Sequence, residues 1–316
     1  LKPTPNNQKG HGDKPLVIWR LTDAKPGHEN QSLGLCNALA RLVDLVRYDI
    51  PVDTGLLTRW TGWLTGRFSA GQGLPSPDLV IGAGHRTHLA LLAARRAFGG
   101  RAVVIMNPTL PRGLFDLCVI PEHDSVSGSN VFLTRGVLNR VVAGERDRLS
   151  GTLLLIGGRS AHFNWQSGAV ISQIERIVRH QPEESFVLSN SRRTPDDLMA
   201  QLATLQLPNL TLVPWQQTGP DWVAQQLETS RAAWVSEDSV SMVYEAITSG
   251  AMVGLIELEK SRPGRVSRGV QGLVDNGWVT RFADWQERGV LREPPGCFNE
   301  AARCAEWMVE QWLTEH

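Results

Sequence analysis

The chain has 316 residues, 41% of them apolar, and 32 basic side chains balance 32 acidic ones to a formal net charge of zero. That length suits two domains of roughly 150 residues each, and the composition excludes a disordered chain. The charge balance excludes bulk electrostatic attraction to nucleic acid, so no nucleic-acid partner is expected. Positive charge is almost all arginine, lysine occurring only at Lys2, Lys9, Lys14, Lys25 and Lys260. Cys36, Cys118, Cys297 and Cys304 form no CxxC pair and point to a reducing compartment.

The polar start LKPTPNNQKGHGDK lacks the apolar stretch of a signal peptide and reads as a disordered leader over residues 1–14. No run approaches the roughly 18–20 apolar residues that cross a bilayer. A cytoplasmic location is therefore expected.

Strand-like runs then alternate with helix-like ones. Leu16–Leu21 is the first strand, followed by a Gly/Pro turn and an amphipathic helix over Gln31–Val43. Strands at Leu79–Ile81, Ala102–Met106 and Leu117–Ile120 follow, with a helix at His88–Phe98. The rhythm breaks at the charged Glu145–Arg148, which divides residues 15–147 from 148–298. The second series has strands at Thr152–Ile156, Phe186–Leu188, Leu210–Val213, Ala233–Ser236 and Met252–Ile256. Its helices are expected at Ala169–Arg179, Pro195–Leu205, Val223–Glu228 and Met242–Thr248. A last helix, Glu300–Leu313, falls in a terminal segment, 299–316, that can pack back on the first domain. The βαβ rhythm predicts two α/β domains with parallel sheets and a ligand cleft between them.

Polar residues gather where strands end, the place α/β proteins reserve for ligands. After the first strand come Asp23, Lys25, His28, Asn30 and Gln31. His28 has the ordinary pKa of a general base, with Asp23 as the second choice; the plain alternative is a solvated loop with a helix cap. Gly84, His85 and Arg86 follow the next strand and suit an acidic acceptor. Glu122, His123 and Asp124 read as a turn at the cleft edge. No DxD motif or spaced His/Cys set occurs, so neither a metal nor another cofactor is expected.

In the second series, Gly157 and Gly158 let a backbone approach phosphate, with Arg159 and Ser160 beside them. Arg192 and Arg193 stand at a strand-to-helix turn and can clamp a diphosphate, Thr194 and Pro195 being an ordinary helix start. In Val235–Gly250, Ser239 or Ser241 can cap a helix whose free N–H groups suit phosphate, and Glu245 can reach a ribose diol. An ordinary capped helix accounts for the same residues. There is no GxGxxG and no GxxxxGK[ST], which excludes the usual dehydrogenase and P-loop signatures. Leu56–Phe68 combines Trp60 and Trp63 with arginines and suits either core packing or a membrane interface.

Several phrases stand in fixed order between about residues 16 and 260: DAKPGHENQ, DLVIGAGHRT, FDLCVIPEHD, NVFLTRGVLNRV, LLLIGG, SNSRRTP and VSEDSVSMVYEAITSG. In these the chain resembles the mitochondrial-fission Elm-like family, whose bacterial members are described as glycosyltransferases. The resemblance implies a GT-B fold, two Rossmann-like domains facing across a cleft. A more distant similarity, to the UDP-N-acetylglucosamine transferase of peptidoglycan synthesis, implies roles. It places His28 in the acceptor-side catalytic loop and Glu245 at the donor ribose. It sets Asp238, Ser239, Val240, Ser241 and Met242 along the diphosphate and sugar, and Trp215 near the nucleobase.

The expectation is thus a metal-independent GT-B glycosyltransferase. Its nucleotide-sugar donor would bind the second domain, and Lys25, Asn30, Gln31, Gly84, His85 and Arg86 would line the acceptor side. The acceptor would be a glycan or a lipid-linked molecule. It would be met at the inner face of a bacterial inner membrane, with Trp60 and Trp63 as the peripheral contact. A nucleotide-sugar 2-epimerase and a non-catalytic adaptor are the alternatives.

Overall fold

The computed structural model describes residues 4–5, 14–52, 55, 63–144, 150–261 and 265–313. The chain divides into two compact units, Leu1–Arg140 with Asn299–His316, and Val141–Phe298. The boundary expected at 147–148 and most of the expected leader lie outside the described residues.

Unit 1 is a seven-stranded sheet in the order β1-β3-β2-β4-β5-β6-β7. The strands are β1 (Thr4–Pro5), β2 (Leu16–Thr22), β3 (Leu45–Pro51), β4 (Leu79–Ala83), β5 (Arg101–Ile105), β6 (Leu117–Pro121) and β7 (Val131–Thr134). All pair in parallel except β1, which runs antiparallel to β3. Strands of a parallel sheet are apolar on both faces because helices cover both. In β2, Ile18 faces the core under α1 (Pro26–Leu42) and α9 (Glu300–Trp312), while Val17, Trp19 and Leu21 face the core under α2 (His88–Phe98).

The strands are stapled at their starting ends. Asp78 Oδ2 accepts from Val17 N at 2.7 Å, and Asp116 Oδ2 accepts from Ala102 N at 2.7 Å. Each carboxylate stands one residue before its own strand and captures the N–H of a neighbouring one. The terminal helix is held by Glu300, whose buried carboxylate accepts from Arg135 N and Arg135 Nε at 3.0 and 2.9 Å.

Unit 2 carries an all-parallel six-stranded sheet, β11-β10-β8-β12-β13-β15. Its strands are β8 (Thr152–Leu155), β10 (Phe186–Ser189), β11 (Leu210–Val213), β12 (Ala232–Ser236), β13 (Met252–Ile256) and β15 (Thr280–Arg281). A separate ribbon pairs β9 (Phe163–Asn164) with β14 (Glu259–Lys260). The helices are α3 (Ser167–His180), α4 (Asp197–Thr204), α5 (Trp222–Thr229), α6 (Val240–Thr248), α7 (Arg265–Asp275) and α8 (Phe282–Arg288). α3, α4 and α8 close one face over Leu154, Phe186, Leu188 and Trp234.

In both sheets the winding reverses once. The chain leaves β2 for β3 on one side and later joins β4 on the other. It leaves β8 for β10 on one side and later joins β12 on the other. Crevices for ligands open at the carboxyl ends of strands where the order reverses, here between β2 and β4 and between β8 and β12.

Candidate functional site

At the unit 1 reversal, the expected loop after the first strand is largely helix. Pro26 at the first helical position starts α1 there, so His28, Asn30 and Gln31 are helical and only Asp23, Ala24 and Lys25 connect. Ala24 sits at φ 59°, a left-handed conformation that folds Asp23 back on the helix start. Lys25 N donates to Asp23 Oδ1 at 3.2 Å, and His28 Nδ1 lies 2.9 Å from Asp23 Oδ2. The Asp23 side chain is 1% exposed and that of His28 17%. An ionised carboxylate only accepts, so Nδ1 of the neutral imidazole carries the proton and Nε2 the lone pair. Nε2 has no hydrogen-bond partner among the described residues.

Gly84, at φ 80° just past β4, forms the other wall. A Cβ there would stand 2.2 Å from His28 Cε1, so only glycine lets the ring lie where it does. Arg20 fixes the same helix start from below: it pairs with Asp49 through Nε and Nη2 at 2.8 and 2.7 Å, and Nη1 reaches Ser32 Oγ at 3.3 Å. His85 and Arg86 are exposed at this edge. Gln31 is buried and bonds back to Gly27 O at 3.4 Å, so its amide serves the helix.

Two residues of this edge were not singled out from sequence. Met106 follows β5 at φ 78° and is exposed. His88 opens α2, buried, with Nδ1 3.3 Å from Thr109 Oγ1 and its ring edge-on to Phe115. Burial, then the nearby His85, lowers its pKa to about 4. Glu122–Asp124 is a short 3-10 turn, and His123 Nε2 lies 4.0 Å from Asp124 Oδ1. Among the described residues no group of three metal-ligating side chains gathers.

At the unit 2 reversal, three loops interlock. Gly157 N donates to Ser236 Oγ at 2.7 Å, Gly158 N to Asp238 Oδ2 at 2.9 Å, and Ser236 Oγ to Asp238 Oδ1 at 2.7 Å. Arg193 Nη1 pairs with Asp238 Oδ2 at 2.8 Å and reaches Arg159 O at 3.2 Å. Ser191 Oγ donates to Gly157 O at 2.8 Å, and Thr194 Oγ1 bonds the same carbonyl. Thr194 thus ties the turn to β8 instead of capping the next helix, and α4 begins at Asp197 instead of Pro195. A Cβ on Gly157 would meet Asp238 Oδ2 at 2.3 Å, and one on Gly158 would meet the Arg193 backbone at 2.1 Å.

Asp238 therefore faces inward, its side chain 0% exposed, and braces the turn where a phosphate-lining role was expected. Ser239 holds the N-cap position of α6, yet no side chain caps that helix. The N–H groups that open it carry partial positive charge and suit an anion. Val240 and Met242 at this end are half-buried, Ser241 is exposed, and Glu245 stands half-buried in the second turn. Arg159 is exposed and Ser160 Oγ accepts from His162 N at 3.4 Å. Arg192 stacks over Trp215, 5.3 Å from the ring centroid, and Asn190 Oδ1 accepts from Trp215 N at 2.9 Å. Beside Asp238, the buried Glu237 accepts from Arg281 Nη1 at 3.0 Å, and burial pushes its carboxyl above the ordinary range.

For the expected membrane contact, Trp60 lies outside the described residues, Trp63 packs against the core under α2, and Leu64 is exposed. No helix among the described residues is long and apolar enough to cross a membrane.

A family model described as mitochondrial fission ELM1 matches residues 26–312. An uncharacterized protein of Rickettsia prowazekii is 23% identical, with 74% of this chain and 81% of that protein covered. Among solved structures, Acinetobacter baumannii MurG superposes with TM-score 0.52 at 12% identity, covering 94% of this chain and all of that one. The UDP-GlcNAc 2-epimerase of Neisseria meningitidis, bound to UDP-GlcNAc, superposes with TM-score 0.55 at 12% identity, covering 96% and 100%. At such identity the likeness is one of fold, and the fold is GT-B.

Proposed function

The chain belongs to the mitochondrial fission ELM1 family, and from that premise we propose that it is a glycosyltransferase that moves a sugar from a nucleotide-sugar donor to a hydroxyl acceptor. The observation that carries the reading is the Asp23–His28 pair, an imidazole with its proton fixed on Nδ1 and its lone pair on Nε2 at a strand reversal. His28 Nε2 takes the proton of the acceptor hydroxyl as the new C–O bond forms. The bond from the sugar carbon to the diphosphate oxygen breaks, and the diphosphate leaves with the electron pair. Arg193, Arg192, Arg159 and the uncapped start of α6 stabilise that charge without a metal. Glu245 binds the ribose and Trp215 the base, while Lys25, His85 and Arg86 meet the acceptor, a glycan or lipid-linked molecule.

The test is a thermal-shift screen against UDP-, GDP-, ADP-, TDP- and CMP-sugars, with Glu245→Ala as control. A donor at about 100 times its Kd adds roughly 2.7 kcal/mol of stability, a rise of a few degrees. The expected result is a shift for one nucleotide class that the variant loses. With that donor and an accepted sugar alcohol, His28→Ala lowers transfer by about 10²–10⁴-fold and leaves donor binding intact. A sugar epimerised without acceptor would convert the reading to an isomerase, and no shift with any donor would remove the enzyme reading.

A further inference from the structure

Asp238 poses a problem in electrostatics. A carboxylate beside a diphosphate site repels its ligand, and this one stands between the Gly157-Gly158 turn and the start of α6. Its two oxygens are taken up by Gly158 N, Ser236 Oγ and Arg193 Nη1, contacts that join the loops after β8, β10 and β12. Arg193 meanwhile is 43% exposed, and its Nη2 and Nε have no partner among the described residues. A guanidinium has five N–H donors in a rigid fork, so pairing one nitrogen fixes the direction of the rest.

Resting on the donor reading above, we propose that Asp238 is a positioning residue, which aims Arg193 at the diphosphate and holds three loops in the binding arrangement before a ligand arrives. Its negative charge is the means: it fixes the Arg193 fork, and its burial keeps it behind the arginine. The proposal makes a prediction opposite to simple charge counting. Removing a carboxylate from an anion site should strengthen binding by charge alone, whereas removing this one weakens it, because Arg193 loses its aim. Asp238→Asn keeps an oxygen for the Gly158 N–H, removes the charge that pairs with Arg193, and turns an NH2 donor toward Ser236 Oγ in place of the oxygen that accepted from it.

The test is titration calorimetry with inorganic pyrophosphate, which requires no choice of base, on wild type, Asp238→Asn, Arg193→Gln and the double variant. Each single substitution is expected to weaken binding about 10-fold, and the double by about 10-fold too instead of 100-fold, since both remove one coupled unit. That non-additivity shows that the two side chains act as one coupled unit. Ser236→Ala supplies a second route, because it leaves every charge in place and removes the hydroxyl that donates to Asp238 Oδ1 and accepts from Gly157 N; a loss of about 3-fold is expected. Additive losses, or pyrophosphate bound as tightly by Asp238→Asn and Ser236→Ala as by wild type, would overturn the brace while leaving the donor site standing. Pyrophosphate that binds none of the proteins would remove the diphosphate cradle, and the brace with it.

Discussion

At the reversal of unit 1 a buried aspartate follows β2, bonds one backbone N–H and turns its other oxygen to an imidazole. At the reversal of unit 2 a buried aspartate lies just past β12, bonds one backbone N–H and turns to a guanidinium. The partner decides what each carboxylate does. Beside His28 it sets the position of a proton that can move; beside Arg193 it sets the direction of a charge that cannot. In the proposed reaction, two sheets of similar winding divide acid–base work from anion work through one side chain each.

Glycine substitutions sharpen the contrast most. Gly158→Ala drives a methyl into the Arg193 backbone, which cannot swing aside, and should cost roughly 2–3 kcal/mol of stability, read from chemical denaturation. Gly84→Ala drives a methyl into a side chain that can rotate away. It should cost less, about 1–2 kcal/mol from the left-handed backbone, but displace His28 and remove most transfer. Equal stability losses would mean that the two walls are equally rigid.

Acid separates the units next. Burial lowers the His88 pKa to about 4 from 6.5, so the unfolded chain takes up a proton first as pH falls. That contribution is complete above pH 6.5 and is lost between 6.5 and about 4, at most about 3 kcal/mol. Burial raises the Glu300 carboxyl, but hydrogen bonds from Arg303 and Arg135 outweigh it and hold the group below its ordinary 4.5. Its contribution is therefore lost as pH falls from 4.5 through the folded value. Glu237 in unit 2 is raised by burial and shifts the other way, favouring the folded state as pH falls. Calorimetry at pH 7 and pH 4.5 should show unit 1 melting earlier in acid, and His88→Gln should reduce that shift.

The smallest effect tests where strain is stored. Ala24 and Met106 both hold positive φ at the unit 1 edge, whereas the described residues at the unit 2 reversal include no such non-glycine residue. Strain of this kind collects at functional sites. Met106→Gly should raise stability by up to about 1 kcal/mol, seen as a small rise in Tm.

Much of this was legible in the chain. Apolar runs such as Leu79–Ala83 and Leu117–Pro121 announce buried parallel strands because both faces are covered. β3 escaped because Arg47, Tyr48 and Asp49 interrupt its pattern. Arg20, a charge inside an apolar strand, was the signal that an acidic partner such as Asp49 had to lie nearby. The first turn of α1 was hidden by Pro26, which reads as a breaker yet is favoured at a helix start. α7 carries apolar residues at helical spacing in Val266, Val270 and Leu273, but two glycines in eleven residues give it weak helix propensity and mask that pattern. The polar residues of both sites were visible, but their orientation was not. Whether Asp238 faces a ligand or the interior depends on Gly158, eighty residues away, and no local pattern carries that information.

The staples at Asp78 and Asp116 have a bearing on how such a protein diversifies. They lock the spacing of neighbouring strands at the end of the sheet remote from His28. Loops at the opposite rim can then be lengthened, shortened or exchanged without unsettling strand alignment. A library that randomises the segments after β5 and β6 while retaining both aspartates should yield mostly folded members and, under the proposed function, offers a practical route to new acceptor preferences.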